Sequence, residues 1–173
     1  LQKEWGRGDS INLAYSFGKA KDVSTATSSR AISNFQYNPT ASNPNEPVLA
    51  NSTFDPGHRV MVAVTKRFNF IKNAPTTLSV FYNGHSGGRY SNIFYNDVNG
   101  DGVNNDLTWV PATADQIILT KGTWEQLDAY IKGDPGLENY RGQIVPRNAS
   151  RENWFHGCDL RLAQQIPMPF ATG

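Results

Sequence analysis

The sequence predicts an all-β protein, an antiparallel meander that forms part of a transmembrane β-barrel. Three observations support this fold class. Short segments alternate apolar and polar residues with the two-residue period of a strand. Fifteen Gly and ten Pro are spread through the chain, and helical periodicity is scarce. The connections between the alternating segments switch between short and long, which is typical of barrels with tight turns at one end and long extracellular loops at the other.

Composition and charge exclude several classes of protein. A length of 173 residues suits one domain that can bury a core without a disulfide or a metal. A net charge of +1, from 16 basic and 15 acidic residues, argues against nucleic-acid binding, which normally needs a basic stripe. The single cysteine, Cys158, excludes an internal disulfide framework. We expect neither a transmembrane helix nor a signal peptide, because no apolar run is long enough and residues 1–8 lack an apolar core.

The alternating segments predict five strands, near residues 1–5, 10–19, 58–68, 76–84 and 153–164. Because about five strands cannot close a barrel, whose smallest members use about eight, we expect one open meander in sequence order. Successive side chains of a strand point to opposite faces. We expect one face to contain Ile11, Leu13, Tyr15, Val60, Val62, Val64, Leu78, Val80, Tyr82, Leu160 and Leu162. We expect the other face to contain Asn12, Ser16, Arg59, Arg67, Ser79, Asn83, Asp159 and Arg161.

Two long connections, residues 23–51 and 87–152, separate the strands, and we expect both to be extracellular loops. The second contains the one short helix that the sequence predicts, Thr123–Lys132. Thr123 and Gln126, three residues apart, match a capping box at its start. Apolar residues at helical spacing form a stripe that we expect to be buried. This stripe consists of Trp124, Leu127, Tyr130 and Ile131.

The second loop also contains a candidate calcium site. The run Asp97-Val98-Asn99-Gly100-Asp101-Gly102 places oxygen-bearing side chains at alternate positions and starts like an EF-hand or dockerin loop. Calcium is a hard cation that takes six to eight oxygen ligands, and a Gly turn lets alternate side chains wrap around it. The candidate ligands are the side chains of Asp97, Asn99 and Asp101, the carbonyl group of Val103, and the side chains of Asn105 and Asp106.

The match to a calcium loop is incomplete. Thr108 stands where an EF-hand has its bidentate Glu, and no helices flank the loop. A turn without an ion remains the alternative, because Asn, Gly and Asp are common in turns for other reasons. If Ca²⁺ binds, we expect a structural role and a weak affinity, about 10⁻⁴–10⁻³ M. No other cofactor is expected.

A second motif resembles the active site of a serine hydrolase. The run Gly84-His85-Ser86-Gly87-Gly88 matches the nucleophile elbow, and Asp128 or Asp134 and then His156 follow in the order of a catalytic triad. The elbow must open a helix, however, and residues 89–94 have no helical period. Parallel β/α alternation is also missing. We therefore interpret the motif as a Gly-rich strand end and predict that the chain is not an enzyme.

A set of further motifs occurs in a fixed order along nearly the whole chain. They are Phe54–Arg59, Ser86–Ser91, Asn96–Gly102, Asn105–Pro111, Leu127–Ile131, Tyr140–Gly142, Arg147–Ala149 and Asp159–Gln165. In this order they resemble the barrel of Oar-like TonB-dependent receptors. The resemblance implies a bacterial outer-membrane receptor with an N-terminal β-domain, a plug and a barrel of about 22 strands. We expect this chain, which contains neither plug nor TonB box, to be a late segment of that barrel.

The resemblance implies a role in substrate uptake across the bacterial cell outer membrane. The expected partners are outer-membrane lipid, the TonB complex acting through a plug outside this chain, and a transported ligand, but not nucleic acid. The alternative is a secreted, calcium-stabilised β-domain that binds carbohydrate or protein. In a barrel the apolar strand faces point outward to lipid, whereas in a sandwich they point inward between two sheets. A serine hydrolase would need Ser86 within hydrogen-bond reach of a histidine.

Overall fold

The computed structural model describes residues 1–6, 8–41, 43–46 and 48–167. The predicted domain 1–173 therefore includes a few positions that lie outside the described residues. The strands are β1 (Gln2–Trp5), β2 (Asp9–Gly18), β3 (Lys21–Asp22), β4 (Ala50–Asn51), β5 (Gly57–Ile71), β6 (Ala74–His85), β7 (Arg89–Tyr90), β8 (Trp109–Val110), β9 (Gln143–Ile144), β10 (Ser150–Arg151) and β11 (Phe155–Gln164). The helices are α1 (Ala31–Gln36), a 3-10 turn (Ala114–Gln116), α2 (Trp124–Gly133) and α3 (Pro135–Glu138).

The chain forms two compact units. The first, which we call the sheet unit, contains Leu1–Gly18, Gly57–Ser86 and the described residues from Trp154 onward. The second, the loop unit, contains Lys19–Pro56 and Gly87–Asn153. No helix among the described residues is both long enough and apolar enough to cross a membrane.

The sheet unit is a five-stranded antiparallel sheet with the strand order β1-β2-β5-β6-β11. These strands follow each other in chain order, so the predicted antiparallel meander is confirmed, and the sheet is open. Each strand lies close to its predicted position, although β5 continues to Ile71 before the chain reverses. The reversal uses Asn73, whose φ of 60° is in the left-handed region that Asn tolerates better than most residues.

The strand register confirms the predicted division of the two faces. Residues directly opposite each other in paired strands point to the same side of the sheet. One row across β2, β5, β6 and β11 contains Ile11, Val64, Val80 and Leu160. The neighbouring row contains Ser10, Thr65, Ser79 and Arg161, and because it is offset by one residue it lies on the other side. Leu160 and Arg161 are therefore on opposite faces, as predicted.

The loop unit has its own small core. Val110, Ile131, Leu137 and Val145 are buried and pack together, and Leu127, Tyr140 and Ala149 pack against them. Three short antiparallel strand pairs, β3–β4, β7–β10 and β8–β9, hold the backbone of this unit. The two long connections are thus ordered structure with a core, and not only solvent-exposed loops.

Helix α2 confirms the predicted helix and its capping box. The Gln126 amide donates to Thr123 Oγ1 over 3.4 Å, and the Thr123 amide donates to Gln126 Oε1 over 3.1 Å. Of the predicted apolar stripe, Ile131 is buried, whereas Tyr130 is 58% exposed. The expectation of a single helix is wrong, because α1 and α3 also form. Helix α1 is six residues long and has no side-chain cap, so its sequence offers little signal.

Candidate functional site

The candidate calcium loop joins β7 to β8, and its first half is a tight, exposed turn. The Asp97 carboxylate accepts hydrogen bonds from the amides of Gly100 (2.6 Å) and Gly102 (2.8 Å). Both glycines have positive φ values, 78° and 88°, which residues with a Cβ rarely adopt. Asn99 Oδ1 accepts from the Asp101 amide, and Asp101 Oδ1 accepts from the Val103 amide, each over 2.9 Å. Side-chain oxygens therefore fix the turn from within.

The second half of this loop is buried. Asn105 is 2% exposed and Asp106 is 4% exposed. The Asp106 carboxylate reaches back to the start of the turn, where its Oδ2 accepts from the amides of Val98 (2.6 Å) and Asn99 (3.3 Å). The backbone of this segment bonds to Thr40, whose amide donates to the Asn105 carbonyl and whose carbonyl accepts from the Leu107 amide. The loop is thereby joined to residues far earlier in the chain.

Two side-chain oxygens in the buried half have no hydrogen-bond partner among the described residues, Asn105 Oδ1 and Asp106 Oδ1. The Asn105 amide nitrogen, in contrast, donates to the carbonyls of Phe35 (3.4 Å) and Asn38 (3.2 Å). Burying an acceptor without a donor is unfavourable, so such atoms call for an explanation.

The structure separates the predicted ligands by their burial. Asn99 and Asp101 are exposed, Asp97 and Val103 are half-buried, and Asn105 and Asp106 are buried. Within the described residues no three His, Cys, Asp or Glu side chains are grouped closely enough to hold an ion. Convergence of the predicted oxygens on one point therefore stays a prediction. The sequence pattern alone did not distinguish the exposed ligands from the buried ones.

The members of the hydrolase motif that belong to the sheet unit have other partners. Ser86 Oγ accepts a hydrogen bond from the His58 amide over 2.9 Å, and the Ser86 amide donates to the His58 carbonyl over 2.8 Å. His156 Nδ1 shares a hydrogen bond of 2.9 Å with the Tyr82 hydroxyl. Ser86 thus extends the pairing of β5 and β6, which agrees with a Gly-rich strand end.

Asp55 is the centre of a buried ion cluster that the sequence did not reveal. Its Oδ2 accepts hydrogen bonds from Arg89 Nε (2.8 Å) and Arg151 Nη2 (2.6 Å), and its Oδ1 accepts from the Ala20 amide (3.0 Å). Burial alone raises the pKa of Asp55, but the Ala20 amide and the two guanidinium groups outweigh it and lower that pKa below its ordinary value. One carboxylate therefore holds three segments of the loop unit together.

A second ion pair joins the two chain segments of the loop unit, Lys19–Pro56 and Gly87–Asn153. The Arg147 side chain is 4% exposed, and its Nη2 donates to Asp22 Oδ1 and to the Asp22 carbonyl, each over 2.6 Å. Burial raises the pKa of Asp22, and hydrogen bonds from Ser52, Arg147 and Thr25 lower it by more. These residues are too far apart in sequence for any local pattern to predict their contact.

The loop unit also has an open groove of about 700 Å³ beside α2. Its polar lining includes Tyr90, Tyr130, Asp134 and Glu152. The Tyr90 hydroxyl donates to Asp134 Oδ2 over 3.1 Å. Burial and the Asp134 carboxylate both raise the pKa of Tyr90 above its ordinary value.

On the sheet unit, the apolar face is exposed and ends in aromatic side chains at both edges. At one edge, where β2 ends, Tyr15 shares a hydrogen bond of 2.8 Å with His58 Nδ1. The other aromatic residues of this edge are Phe17, Tyr82, Trp154 and His156. The opposite edge contains Trp5, Phe68 and Phe70, of which the last two stack with ring centroids 5.1 Å apart.

Between the aromatic edges, most side chains of this face are aliphatic; the charged exceptions, Lys3 and the ion pair of Lys66 with Asp9, lie towards the edge that contains Trp5 and Phe68. The apolar side chains are Ile11, Leu13, Val60, Val62, Val64, Leu78, Val80, Cys158, Leu160 and Leu162. Leu160 and Leu162 are each 71% exposed. We call this surface, from the aromatic residues of one edge to those of the other, the apolar band.

Comparisons with protein-family models, curated proteins and solved structures find no match to this chain. The geometry of the two units is therefore the basis for assigning a function.

Proposed function

We propose that the chain is a segment of the barrel of an outer-membrane TonB-dependent receptor, and that it takes part in substrate uptake across the bacterial outer membrane. The observation that supports this proposal best is the apolar band. A contiguous apolar surface of this kind marks a membrane or protein contact, because exposing it to water is unfavourable. Lipid chains can cover such a surface without a partner protein.

The height of the apolar band fits a bilayer. Along β5, ten residues separate His58 at one aromatic edge from Phe68 at the other. At about 3.4 Å per residue these positions are about 34 Å apart along the strand, or about 26 Å along a membrane normal if the strand tilts by about 40°. The lipid-facing band of outer-membrane barrels is about 25 Å tall and has aromatic girdles at both interfaces.

The opposite face of the sheet fits the interior of such a barrel. It contains Asn12, Arg59, Asp159 and Arg161, all of them exposed. Barrel lumens are polar and filled with water or with a plug. An Arg facing lipid near the bilayer centre would cost about 2–4 kcal/mol, so alternation along β11 favours lipid on the side of Leu160 and water on the side of Arg161.

The ordered motifs that resemble Oar-like receptors support the assignment of the barrel to a TonB-dependent receptor. In such a receptor the TonB complex acts through a plug, and energy-coupled transport depends on both. This chain would then supply barrel wall and loop structure, without catalytic residues. Its partners would be outer-membrane lipid and a transported ligand that reaches the lumen.

The alternative, a secreted β-domain that binds carbohydrate or protein, is favoured by one observation. The loop unit has its own core and a groove lined by Tyr90, Tyr130 and two carboxylates. Tyrosine rings and carboxylates are common in sites for sugars and peptides. The two proposals differ in what covers the apolar band, so one labelling experiment separates them.

The single native cysteine is a ready probe of the apolar band. Cys158 is exposed, unpaired, and opposite Tyr82 on that face. With the receptor barrel that contains this segment reconstituted in lipid vesicles, a water-soluble maleimide should leave Cys158 unmodified until detergent is added. In a Cys158→Ser background, Leu160→Cys should behave in the same way. Asp159→Cys, the matched control on the polar face, should react in the intact vesicles.

The reaction rates of these three cysteines also give the result that would overturn the receptor proposal. If Cys158 and Leu160→Cys react in intact vesicles as fast as Asp159→Cys, the apolar band does not face lipid. Circular dichroism of each variant checks that the sheet is intact. A water-soluble protein that reacts at all three positions would favour the secreted β-domain.

A further inference from the structure

We propose that the loop Asp97–Asp106 binds one Ca²⁺ ion, and that the buried oxygens Asn105 Oδ1 and Asp106 Oδ1 anchor it from below. The remaining ligands would be Asp97, Asn99 and Asp101 from the exposed turn, with the carbonyl of Val103. This site is independent of the uptake function and could be present in either a receptor or a secreted domain.

The first support comes from the two buried oxygens. Asn105 and Asp106 are both more than nine-tenths buried, and one oxygen of each has no hydrogen-bond donor among the described residues. A buried carboxylate oxygen without a partner is strongly unfavourable. A bound cation would supply the missing partner.

The Asp106 carboxylate is directed at the turn that contains the other ligands. Its Oδ2 accepts from the amides of Val98 and Asn99, the two residues that follow Asp97. The unpartnered Oδ1 belongs to the same rigid carboxylate group. It therefore lies next to the stretch of chain from which the side chains of Asp97 and Asn99 project.

The charge of this segment also favours a cation. Three carboxylates, those of Asp97, Asp101 and Asp106, lie within ten residues, and the sequence has no Lys or Arg between residues 90 and 120. None of the three takes part in an ion pair among the described residues. A divalent ion would remove the repulsion between them.

The hydrogen bonds inside the turn are compatible with metal binding. The oxygens of Asp97, Asn99 and Asp101 accept backbone amides, but each carboxylate or amide oxygen has two lone pairs. One lone pair can hold the amide while the other binds the ion. Small side-chain rotations would still be needed, because the described acidic groups are not yet gathered around one point.

The ligand types favour calcium over other ions. The set contains only oxygen atoms, from carboxylates, amides and a carbonyl, and has neither Cys nor His, which excludes the usual zinc and copper donors. Six ligands at 2.3–2.6 Å meet the lower limit of calcium coordination, whereas Mg²⁺ demands near-ideal octahedral geometry at shorter distances. Because Thr108 cannot act as a bidentate ligand, we expect a Kd of about 10⁻⁴–10⁻³ M.

Calorimetry on the full chain tests this proposal. CaCl₂ should bind with one-to-one stoichiometry, and MgCl₂ should bind much more weakly. Tb³⁺, a luminescent substitute for Ca²⁺, should be sensitised by Trp109, which is three residues beyond Asp106. Asp101→Asn, at an exposed position where Asn keeps the oxygen that accepts from the Val103 amide, should weaken Ca²⁺ binding by about tenfold or more, in line with the loss of one charged ligand.

Two more variants make the test specific. Asp106→Asn keeps the size of the side chain and should abolish binding if the buried carboxylate is the anchor. Asp115→Asn, an exposed acidic residue outside the loop, is the matched control and should bind Ca²⁺ like the unmodified chain. The proposal is overturned if no heat is observed up to about 10 mM CaCl₂, or if Asp101→Asn and Asp106→Asn bind like the control. The labelling of Cys158 does not depend on this result.

Discussion

At the scale of single residues, the loop unit depends on a few buried charges. Asp55 binds two guanidinium groups and a backbone amide, and its side chain is 2% exposed. Breaking a buried ion cluster by removing one partner is costly, because the other charges stay buried without compensation. Here two arginines, with side chains 19% and 21% exposed, would lose their shared anion.

We therefore predict that Asp55→Asn destabilises the loop unit by about 3 kcal/mol. The change keeps the side-chain shape, but it removes the charge and replaces one of the two acceptor oxygens by an NH₂ donor. Chemical unfolding of the full chain, followed by tryptophan fluorescence, measures the effect. Asp159→Asn, at an exposed position, should change the free energy of unfolding by less than about 0.5 kcal/mol. Equal effects of the two variants would contradict the role of the cluster.

The same cluster predicts a dependence on pH. Because the pKa of Asp55 is lower in the folded state than the unfolded value of about 3.9, its contribution is complete above that value. It is lost as the pH falls through the lower folded-state pKa. The stability difference between the native chain and Asp55→Asn should thus be constant near neutral pH and shrink below about pH 4. A difference that grows on acidification would refute this assignment.

Gly136 is a residue at which any side chain meets backbone. A Cβ there would lie 2.5 Å from the Ser150 amide nitrogen and 2.6 Å from the Ala149 carbonyl carbon. Gly136→Ala should therefore lower stability by about 1–3 kcal/mol, because the backbone must move. Gly133→Ala is the matched control, because a Cβ there would have no atom of another described segment within 4 Å. It should be neutral or slightly stabilising, as Ala favours helix.

At the scale of secondary structure, the sheet was predictable and the loop unit was not. The period of two along β2, β5, β6 and β11 is a local signal that predicted the strands and their faces, and the expectation of a barrel meander predicted their order. The contacts of the loop unit join residues far apart in the chain, such as Asp22 and Arg147, so no window of sequence contains them. Helix α2 was found because its capping box is local.

The candidate site was predictable only in part, for the same reason. The alternation of Asp97, Asn99 and Asp101 is a local pattern that marks the turn. The burial of Asn105 and Asp106 depends on contacts with residues 35–40, which the pattern does not include. The sequence thus indicated the chemistry of the loop but not which oxygens lack partners.

The apolar band leads to a prediction for β2. Leu13 and Asn12 are adjacent and both exposed, but they are on opposite faces of the sheet. In a membrane-embedded barrel, Leu13→Arg should cost about 2–4 kcal/mol, whereas Asn12→Arg on the lumen side should be nearly neutral. Urea unfolding of the receptor barrel that contains this segment, from lipid vesicles, measures both. Similar effects of the two substitutions would contradict a lipid-facing band.

At the scale of the whole molecule, the open sheet predicts how its edges behave. In the described sheet, β1 and β11 each pair with a single neighbour. In the proposed barrel, both would pair with further strands of the receptor. Hydrogen exchange on the membrane-embedded receptor should then show amides throughout Phe155–Gln164 protected as well as those of β5 and β6. Fast exchange at alternate positions of β11 would instead indicate a free edge.

The ion pair between Asp22 and Arg147 has a consequence for the order of events during synthesis. The two residues are 125 positions apart. At about 5–20 residues per second, a ribosome adds Arg147 roughly 6–25 s after Asp22. The hairpin of β5 and β6 involves only neighbouring segments and can form during this interval, since local contacts form fastest. We therefore expect the first half of the loop unit to stay without this ion pair, with Asp22 still hydrated, until Arg147 has been translated.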